Sequence, residues 1–143
     1  MSKITVIFYT DDDQDDLDFF EDAARSLNVE LDIYLFLTHK EMLAAVDHGE
    51  IAPDIIFTDQ NMPVISGSQV IKAVRDYGLD IPIVVLSTAN DPKTVKKVYE
   101  LGANYYIPKP HDLSLLQKAI SLTINRNWDD VKETHLDNFK FEG

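Results

Sequence analysis

Five short apolar runs alternate along this chain with segments that have the residue spacing of helices. The runs are too short to be helices, are bounded by turn residues, and comprise Ile4–Tyr9, Leu31–Leu37, Ile55–Phe57, Ile81–Leu86 and Tyr105–Ile107. We predict that they are strands. Strands and helices that alternate five times form a parallel sheet with helices on both faces. For a chain of 143 residues, this pattern predicts an open, doubly wound α/β domain of the flavodoxin-like kind.

Start and stop signals support the helical segments. Thr38–Glu41 has the pattern of a capping box, and either Asn90 or Asp91 is placed to cap the fourth helix. Gly78 and Gly102 stand where the third and fourth helices are expected to end. These signals predict helices of ordinary length between the strands.

The composition excludes several classes of protein. Hydrophobic residues make up 45% of the chain and cysteine is absent, so we expect a packed core without disulfides or thiolate metal sites. The short apolar run near the N-terminus stops at three aspartates and resembles neither a signal peptide nor a membrane span, which predicts a soluble cytoplasmic protein. A formal charge of −12 disfavours nucleic acid and anionic membranes as direct partners.

The sequence changes character after Asn127. The last sixteen residues contain five acids, two lysines and scattered apolar residues. We therefore predict one domain over residues 1–127, followed by an acidic C-terminal tail over residues 128–143. Four apolar residues of the tail are able to dock against the domain or a partner, namely Trp128, Leu136, Phe139 and Phe141.

Polar residues follow four of the five predicted strands. They are Asp11-Asp12-Asp13 after the first strand, Thr58-Asp59-Gln60-Asn61 after the third, Ser87-Thr88 after the fourth and Lys109-Pro110 after the fifth. Ligands of open α/β sheets bind beyond the carboxyl ends of the strands. Carboxylates from two neighbouring strand ends form an oxygen-rich pocket that suits Mg²⁺. A hydroxyl group and an ammonium group complete this predicted pocket.

This set of residues resembles the receiver domain of response regulators, and the likeness extends from about Lys3 to Asn127. Besides the acidic pair, it is carried by the run Pro53–Pro63 followed by Gly67, and by Gly102–Tyr106 followed by Lys109-Pro110. The expected strand order is 2-1-3-4-5. Pro108 agrees with that order, because a residue that cannot donate to a sheet ladder favours an edge strand.

The resemblance implies that Asp59 accepts a phosphoryl group from the phosphohistidine of a sensor histidine kinase or phosphotransfer protein. It also implies that Mg²⁺ is held by Asp11, Asp12 and Asp59 with the backbone carbonyl of Asn61, and that Asp12 is a direct ligand. The cation neutralises charge on the transferring phosphoryl group and aligns it with the attacking carboxylate. A protein of this kind promotes only its own phosphorylation and dephosphorylation and is not otherwise an enzyme.

Further roles are implied for residues near the fourth and fifth strands. Lys109 pairs with Asp59 and then with the phosphoryl oxygens, while the Ser87 hydroxyl hydrogen-bonds to one of those oxygens. Thr88 and Tyr106 are the expected switch residues, because movement of Ser87 toward the phosphoryl group vacates space for an inward-turned Tyr106. The resemblance is to stand-alone receivers, which predicts output by protein–protein contact with an unidentified target.

Two other functions compete with this interpretation. A haloacid-dehalogenase-like phosphatase also uses an aspartate after its first strand, but Asp15 stands where threonine or valine is expected, and the chain is short for that class. A phosphorylation-independent adaptor with a receiver fold is the second alternative. Degenerate receivers usually lose one of the acidic, phosphoacceptor, hydroxyl or lysine residues, and all of them are present here.

Other polar residues have simpler interpretations. Acids near a helix N-terminus complement the helix dipole, and we interpret Asp13, Asp15, Asp16 and Asp18 as solvated residues of this kind. The four histidines lack the spacing of metal ligands. We predict that they lie on the surface, at His39, His48, His111 and His135.

Overall fold

The computed structural model of this chain describes residues 4–61, 64–126, 128 and 136–142. Its centre is a parallel five-stranded sheet in the order β2-β1-β3-β4-β5, which confirms the predicted fold class and strand order. The strands are β1 (Thr5–Thr10), β2 (Leu31–Phe36), β3 (Ile55–Thr58), β4 (Ile83–Ser87) and β5 (Tyr105–Pro108). Met62 and Pro63 of the predicted motif lie outside the described residues.

Within the described residues, five α-helices cover the two faces of this sheet. They are α1 (Gln14–Arg25), α2 (His39–His48), α3 (Gly67–Asp76), α4 (Pro92–Leu101) and α5 (Leu113–Asn125). One core forms where the sheet packs against α1 and α5, and a second forms against α2, α3 and α4. Every residue of β3 and β4 is buried, as expected for central parallel strands that are covered on both sides.

The helix ends follow the predicted signals. The Thr38 side chain caps α2 by accepting a hydrogen bond from the backbone of Glu41, and Asp91 caps α4. Gly78 and Gly102 have φ values of +80° and +108°, which are left-handed conformations that side chains rarely adopt. None of the helices in the described part of the chain combines the length and apolar character that a bilayer span requires.

The C-terminal residues 136–142 pack against β5, the last strand of the sheet. A short 3₁₀ helix at Leu136–Asn138 leads to Phe139, which is fully buried, and to Phe141, which is nearly so. Trp128 packs partly against the core of α1 and α5, and its indole N–H donates to the backbone oxygen of Thr123. Three of the four apolar residues noted in the tail, Trp128, Phe139 and Phe141, thus pack on the domain itself, whereas Leu136 is exposed.

Candidate functional site

Three carboxylates meet at the carboxyl ends of β1 and β3. These strands are neighbours, and their register pairs Thr10 with Thr58, so the residues that follow each strand lie side by side. Oxygens of Asp11, Asp12 and Asp59 all lie within 4.8 Å of one another. Asp11 is fully buried, Asp59 is 5% exposed, and Asp12 is open to solvent. The structure therefore brings together the three carboxylates that the sequence assigned to one pocket.

Lys109 reaches into this pocket from the end of β5. Its Nζ atom lies 2.7 Å from Oδ2 of Asp11 and 3.3 Å from Oδ2 of Asp59. Its backbone N–H donates to the carbonyl of Ser87, which fixes the start of the side chain next to β4. Burial alone lowers the pKa of Lys109, but hydrogen bonds to Asp11 and Asp16 and the charge of Asp59 outweigh it and raise the pKa above its usual value. The ammonium group is therefore held in its charged form beside the phosphoacceptor candidate.

Asp16 also belongs to this site, so its interpretation as a solvated helix residue is wrong. Its Oδ2 atom lies 2.8 Å from Nζ of Lys109. The cap of α1 is instead Asp13, which accepts hydrogen bonds from the backbone of Asp15 and Asp16. The side chain of Asp16 is thus directed from the first turn of α1 to the ammonium group.

Asp11 and Asp59 are each held in a defined orientation. The hydroxyl of Tyr9 donates to Oδ2 of Asp11 at 2.7 Å, and the backbone N–H of Asp13 donates to its other oxygen at 3.0 Å. The backbone N–H of Asn61 donates to Oδ1 of Asp59 at 3.3 Å. Burial and the adjacent Asp11 raise the pKa of Tyr9, which keeps its hydroxyl a donor. Sequence reasoning missed Tyr9, although it shares a strand face with Asp11.

His39 is buried beneath the site, which corrects its predicted surface position. It is 2% exposed, and its Nε2 atom lies 3.0 Å from the backbone oxygen of Asp59. A carbonyl oxygen only accepts, so Nε2 carries the hydrogen, and in the neutral ring Nδ1 accepts from the Thr10 hydroxyl at 2.9 Å. Burial lowers the pKa of His39 below its usual value. The hydrogen bond to the Asp59 backbone and the charges of nearby carboxylates act in the opposite direction but do not outweigh burial.

The remaining histidines agree with the prediction where the structure describes them. His48 and His111 are exposed, and His135 lies outside the described residues. His39 differs because it occupies the first position of α2, on the same helix face as the buried Met42 and Val46. This shared spacing was the signal in the sequence for its burial.

Gly67 allows α3 to begin directly against the backbone of the phosphoacceptor candidate. A Cβ atom at this position would lie 2.6 Å from the backbone oxygen of Asp59 and 2.9 Å from Cα of Gln60. The Gly67 N–H donates to the carbonyl of Gln60 at 3.1 Å. Any larger residue would displace the segment that carries Asp59.

The predicted switch residues lie beside this pocket. Ser87 is buried at the end of β4, and its hydroxyl oxygen accepts from the backbone N–H of Ala89 at 3.3 Å. Tyr106 is turned inward and fully buried, and its hydroxyl donates to the carbonyl of Ala89. Burial raises the pKa of Tyr106 to about 12, against the opposing effect of its hydrogen bond with Ser87. Thr88 is exposed, so its side chain does not occupy the space that Tyr106 fills.

Comparison with known proteins identifies the family. The sequence model of the family described as the response regulator receiver domain matches residues 7–121 of this chain. Among curated relatives, the two-component response regulator ORR2 of Oryza sativa subsp. indica is 34% identical over 92 residues, which cover 61% of this chain and 36% of that protein. The probable C4-dicarboxylate response regulator DctR of Halalkalibacterium halodurans is 35% identical over 72 residues, or 50% of this chain and 31% of that protein. The match thus spans about a third of each relative's length.

Solved structures agree with this assignment. The phosphorylated cyanobacterial phytochrome response regulator RcpA has a TM-score of 0.77 at 25% identity, with 92% of this chain and 98% of that chain covered. The fold is shared with the Mn²⁺-bound form of response regulator Rcp1, which has a TM-score of 0.73 at 22% identity and covers 92% and 99% of the two chains. The family match, the strand order and the strand-end residues agree, and the chain belongs to the receiver domains of two-component response regulators.

Proposed function

We propose that Asp59 accepts a phosphoryl group from the phosphohistidine of a sensor histidine kinase or phosphotransfer protein, in a Mg²⁺-dependent reaction. The chemistry is confined to the chain's own phosphorylation and dephosphorylation, and the output is protein–protein contact. The observation that carries this proposal is the convergence of the Asp59 carboxylate with two further carboxylates and the ammonium group of Lys109.

The donor set of the pocket fits a hard divalent cation. Its candidate ligands are carboxylate oxygens of Asp11, Asp12 and Asp59. The backbone carbonyl of Asn61, two residues after Asp59, is proposed as a further ligand. Asp11, Asp16 and Asp59 contact the ammonium group of Lys109, and Asp12 lies beside Asp11 and Asp59. Among these described residues, four carboxylates and one ammonium group give the pocket a formal excess of negative charge. When bound there, Mg²⁺ supplies positive charge that compensates the phosphoryl oxygens.

The chain's own residues prepare Asp59 for nucleophilic attack. The Asn61 N–H holds one carboxylate oxygen, and Lys109 contacts the other. The Asp59 backbone is fixed as well, because its N–H donates to the carbonyl of Thr10 and its carbonyl accepts from His39. Such positioning lowers the entropy cost of bringing the carboxylate and the phosphoryl group together.

The transfer itself exchanges one bond to phosphorus for another. A carboxylate oxygen of Asp59 forms the new bond to phosphorus, and the phosphorus–nitrogen bond of the donor imidazole breaks with its electron pair remaining on nitrogen. The product is an acyl phosphate on Asp59. Lys109 is placed to pair with the phosphoryl oxygens, since its Nζ atom already lies 3.3 Å from the attacking carboxylate.

A small phosphodonor tests the proposal without knowledge of the cognate kinase. We expect acetyl phosphate to label the full chain in the presence of Mg²⁺, because the pocket itself supplies positioning and charge stabilisation. Intact-protein mass spectrometry measures the incorporation. Protein incubated with acetyl phosphate and a chelator, without Mg²⁺, should carry no phosphoryl label. Equal labelling under both conditions would contradict the metal dependence.

We further propose that phosphorylation is read out on the face formed by α4, β5 and α5. The inward position of Tyr106 and its hydrogen bond to Ala89 connect this face to the loop that follows Ser87. When the Ser87 hydroxyl moves toward the phosphoryl oxygens, we expect this loop to move with it and Tyr106 to be held inward. Because packed interiors resist intermediate positions, we expect Ser87 and the loop that follows it to adopt two discrete arrangements.

Crystal structures with and without a beryllofluoride mimic on Asp59 test this readout. We expect Ser87 and residues 88–90 to differ in position between the two forms, with Tyr106 inward in the beryllofluoride form. If Ser87, this loop and Tyr106 superpose in both forms, the coupling is wrong.

A further inference from the structure

The edge of β5 that does not pair with β4 is occupied by residues near the C-terminus. The backbone N–H of Tyr106 donates to the carbonyl of Phe139 at 3.0 Å, and the N–H of Phe141 donates to the carbonyl of Tyr106 at 2.8 Å. These two bonds make Lys140 the parallel bridge partner of Tyr106. This is the hydrogen-bond pattern of a one-residue parallel bridge at the edge of a sheet.

Two phenylalanines anchor this segment, one on each side of the sheet. Phe139 lies in the core of α2, α3 and α4, where its ring meets that of Tyr99 edge-on at 5.2 Å between centroids and that of Tyr106 at 6.4 Å. Phe141 is 8% exposed and lies in the core of α1 and α5. The edge therefore offers two apolar sites that accept aromatic residues two positions apart.

The backbone pairing of the segment with β5 is short. One residue of β5 pairs with the segment, and the neighbouring Leu136, Asn138 and Glu142 are exposed. The two phenylalanine rings and two backbone hydrogen bonds hold the segment against β5. Sites of this kind also bind extended segments of other proteins, since main-chain bonds provide affinity and side-chain pockets provide specificity.

We propose that the β5 edge is an addition site for a segment that, like residues 136–142, bridges Tyr106 through its backbone and places aromatic residues at positions i and i+2 on opposite faces of the sheet. Residues 136–142 fill the site within the chain, and a target protein engages it by presenting a segment of the same chemistry that displaces them. Tyr106 carries the backbone pairing and also contacts the loop after Ser87, so the site lies on the proposed output face. The proposal does not require phosphorylation of Asp59, and its test is independent of that reaction.

The test is binding of a labelled peptide with the sequence of residues 136–142 to the full chain. In the variant Phe139→Ala with Phe141→Ala, the chain's own segment loses both anchors and leaves the site open. A tethered segment competes at an effective concentration on the order of millimolar. We therefore expect the variant to bind the peptide at least about tenfold more tightly than the unmodified chain, as measured by fluorescence anisotropy.

Two controls and one fallback variant make the result specific. A peptide with alanine at both phenylalanine positions should not bind the double variant. The variant Leu136→Ala changes an exposed residue of the same segment and should bind the original peptide as weakly as the unmodified chain does. If circular dichroism shows that the double variant is unfolded, Phe141→Ala removes only the less buried ring and supplies the same comparison.

Equal peptide affinity of the folded variant and the unmodified chain would overturn the proposal. Absence of binding to the variant at peptide concentrations up to about 1 mM, the scale of the tethered competitor, would also overturn it. Neither outcome would affect the assignment of Asp59, which is measured by phosphoryl incorporation.

Discussion

Replacing Asp59 with asparagine is expected to abolish labelling by acetyl phosphate. The amide keeps the shape of the side chain and an oxygen that can accept from the Asn61 N–H, but it lacks the nucleophilic carboxylate. Lys109 retains Asp11 and Asp16 as partners, so the pocket is expected to stay folded. Intact-protein mass spectrometry should show incorporation no greater than in a sample without phosphodonor.

The matched control is Asp18→Asn. Asp18 is an exposed acid of α1, so this change removes the same formal charge from outside the pocket and should leave labelling intact. Unchanged incorporation in Asp59→Asn would refute the assignment. Lys109→Ala is a less decisive variant, because the ammonium group also contacts Asp11 and Asp16 and its removal alters the charge of the metal pocket.

The second large effect is expected when Asp11 and Asp12 are both replaced with asparagine. This variant removes two of the three carboxylates that lie within 4.8 Å of one another, and it leaves Asp59 beside the competing charge of Lys109. We expect Mg²⁺ affinity to fall by more than about 100-fold, since loss of a residue that merely supports a metal ligand already costs about 10–100-fold. A Mg²⁺ titration followed by backbone amide chemical shifts measures the affinity and locates the site.

Asp15→Asn with Asp18→Asn provides the control for this titration. It removes the same formal charge from exposed positions of α1 and should bind Mg²⁺ nearly as well as the unmodified chain. In the unmodified chain, the shifts should centre on Asp11, Asp12 and Asp59. Shifts centred on Asp18–Asp22 or on the C-terminal tail would show that the site is misplaced.

The sequence predicts the sheet and the central carboxylates well, because both depend on regular patterns. The continuous apolar runs of β3 and β4 are sufficient to predict central parallel strands, and every residue of both strands is buried. Once the strand order is known, the ends of β1 and β3 must lie side by side, and Asp11 and Asp59 follow from that geometry. The position of Lys109 follows from the same reasoning, because this residue comes directly after β5.

The missed contacts depend on tertiary packing or on the periodicity of a helix face. Asp16 has a sufficient local explanation at a helix N-terminus, and its partner Lys109 is 93 residues away. The absence of metal-ligand spacing does not predict exposure of His39, whereas its spacing to Met42 marks a buried helix face. The two-residue spacing of Phe139 and Phe141 would place both rings on one face of a regular strand. The structure places them on opposite faces of the sheet, a result of tertiary packing at the β5 edge.

Locating the phosphoryl group on the chain tests the central claim most directly. After acetyl phosphate and Mg²⁺ treatment, borohydride reduction converts an aspartyl phosphate to homoserine, and peptide mass spectrometry identifies the position that was reduced. We predict homoserine at position 59 and an unaltered aspartate at positions 11, 12 and 16. Homoserine at any of those three positions, with Asp59 unmodified, would contradict the proposed mechanism.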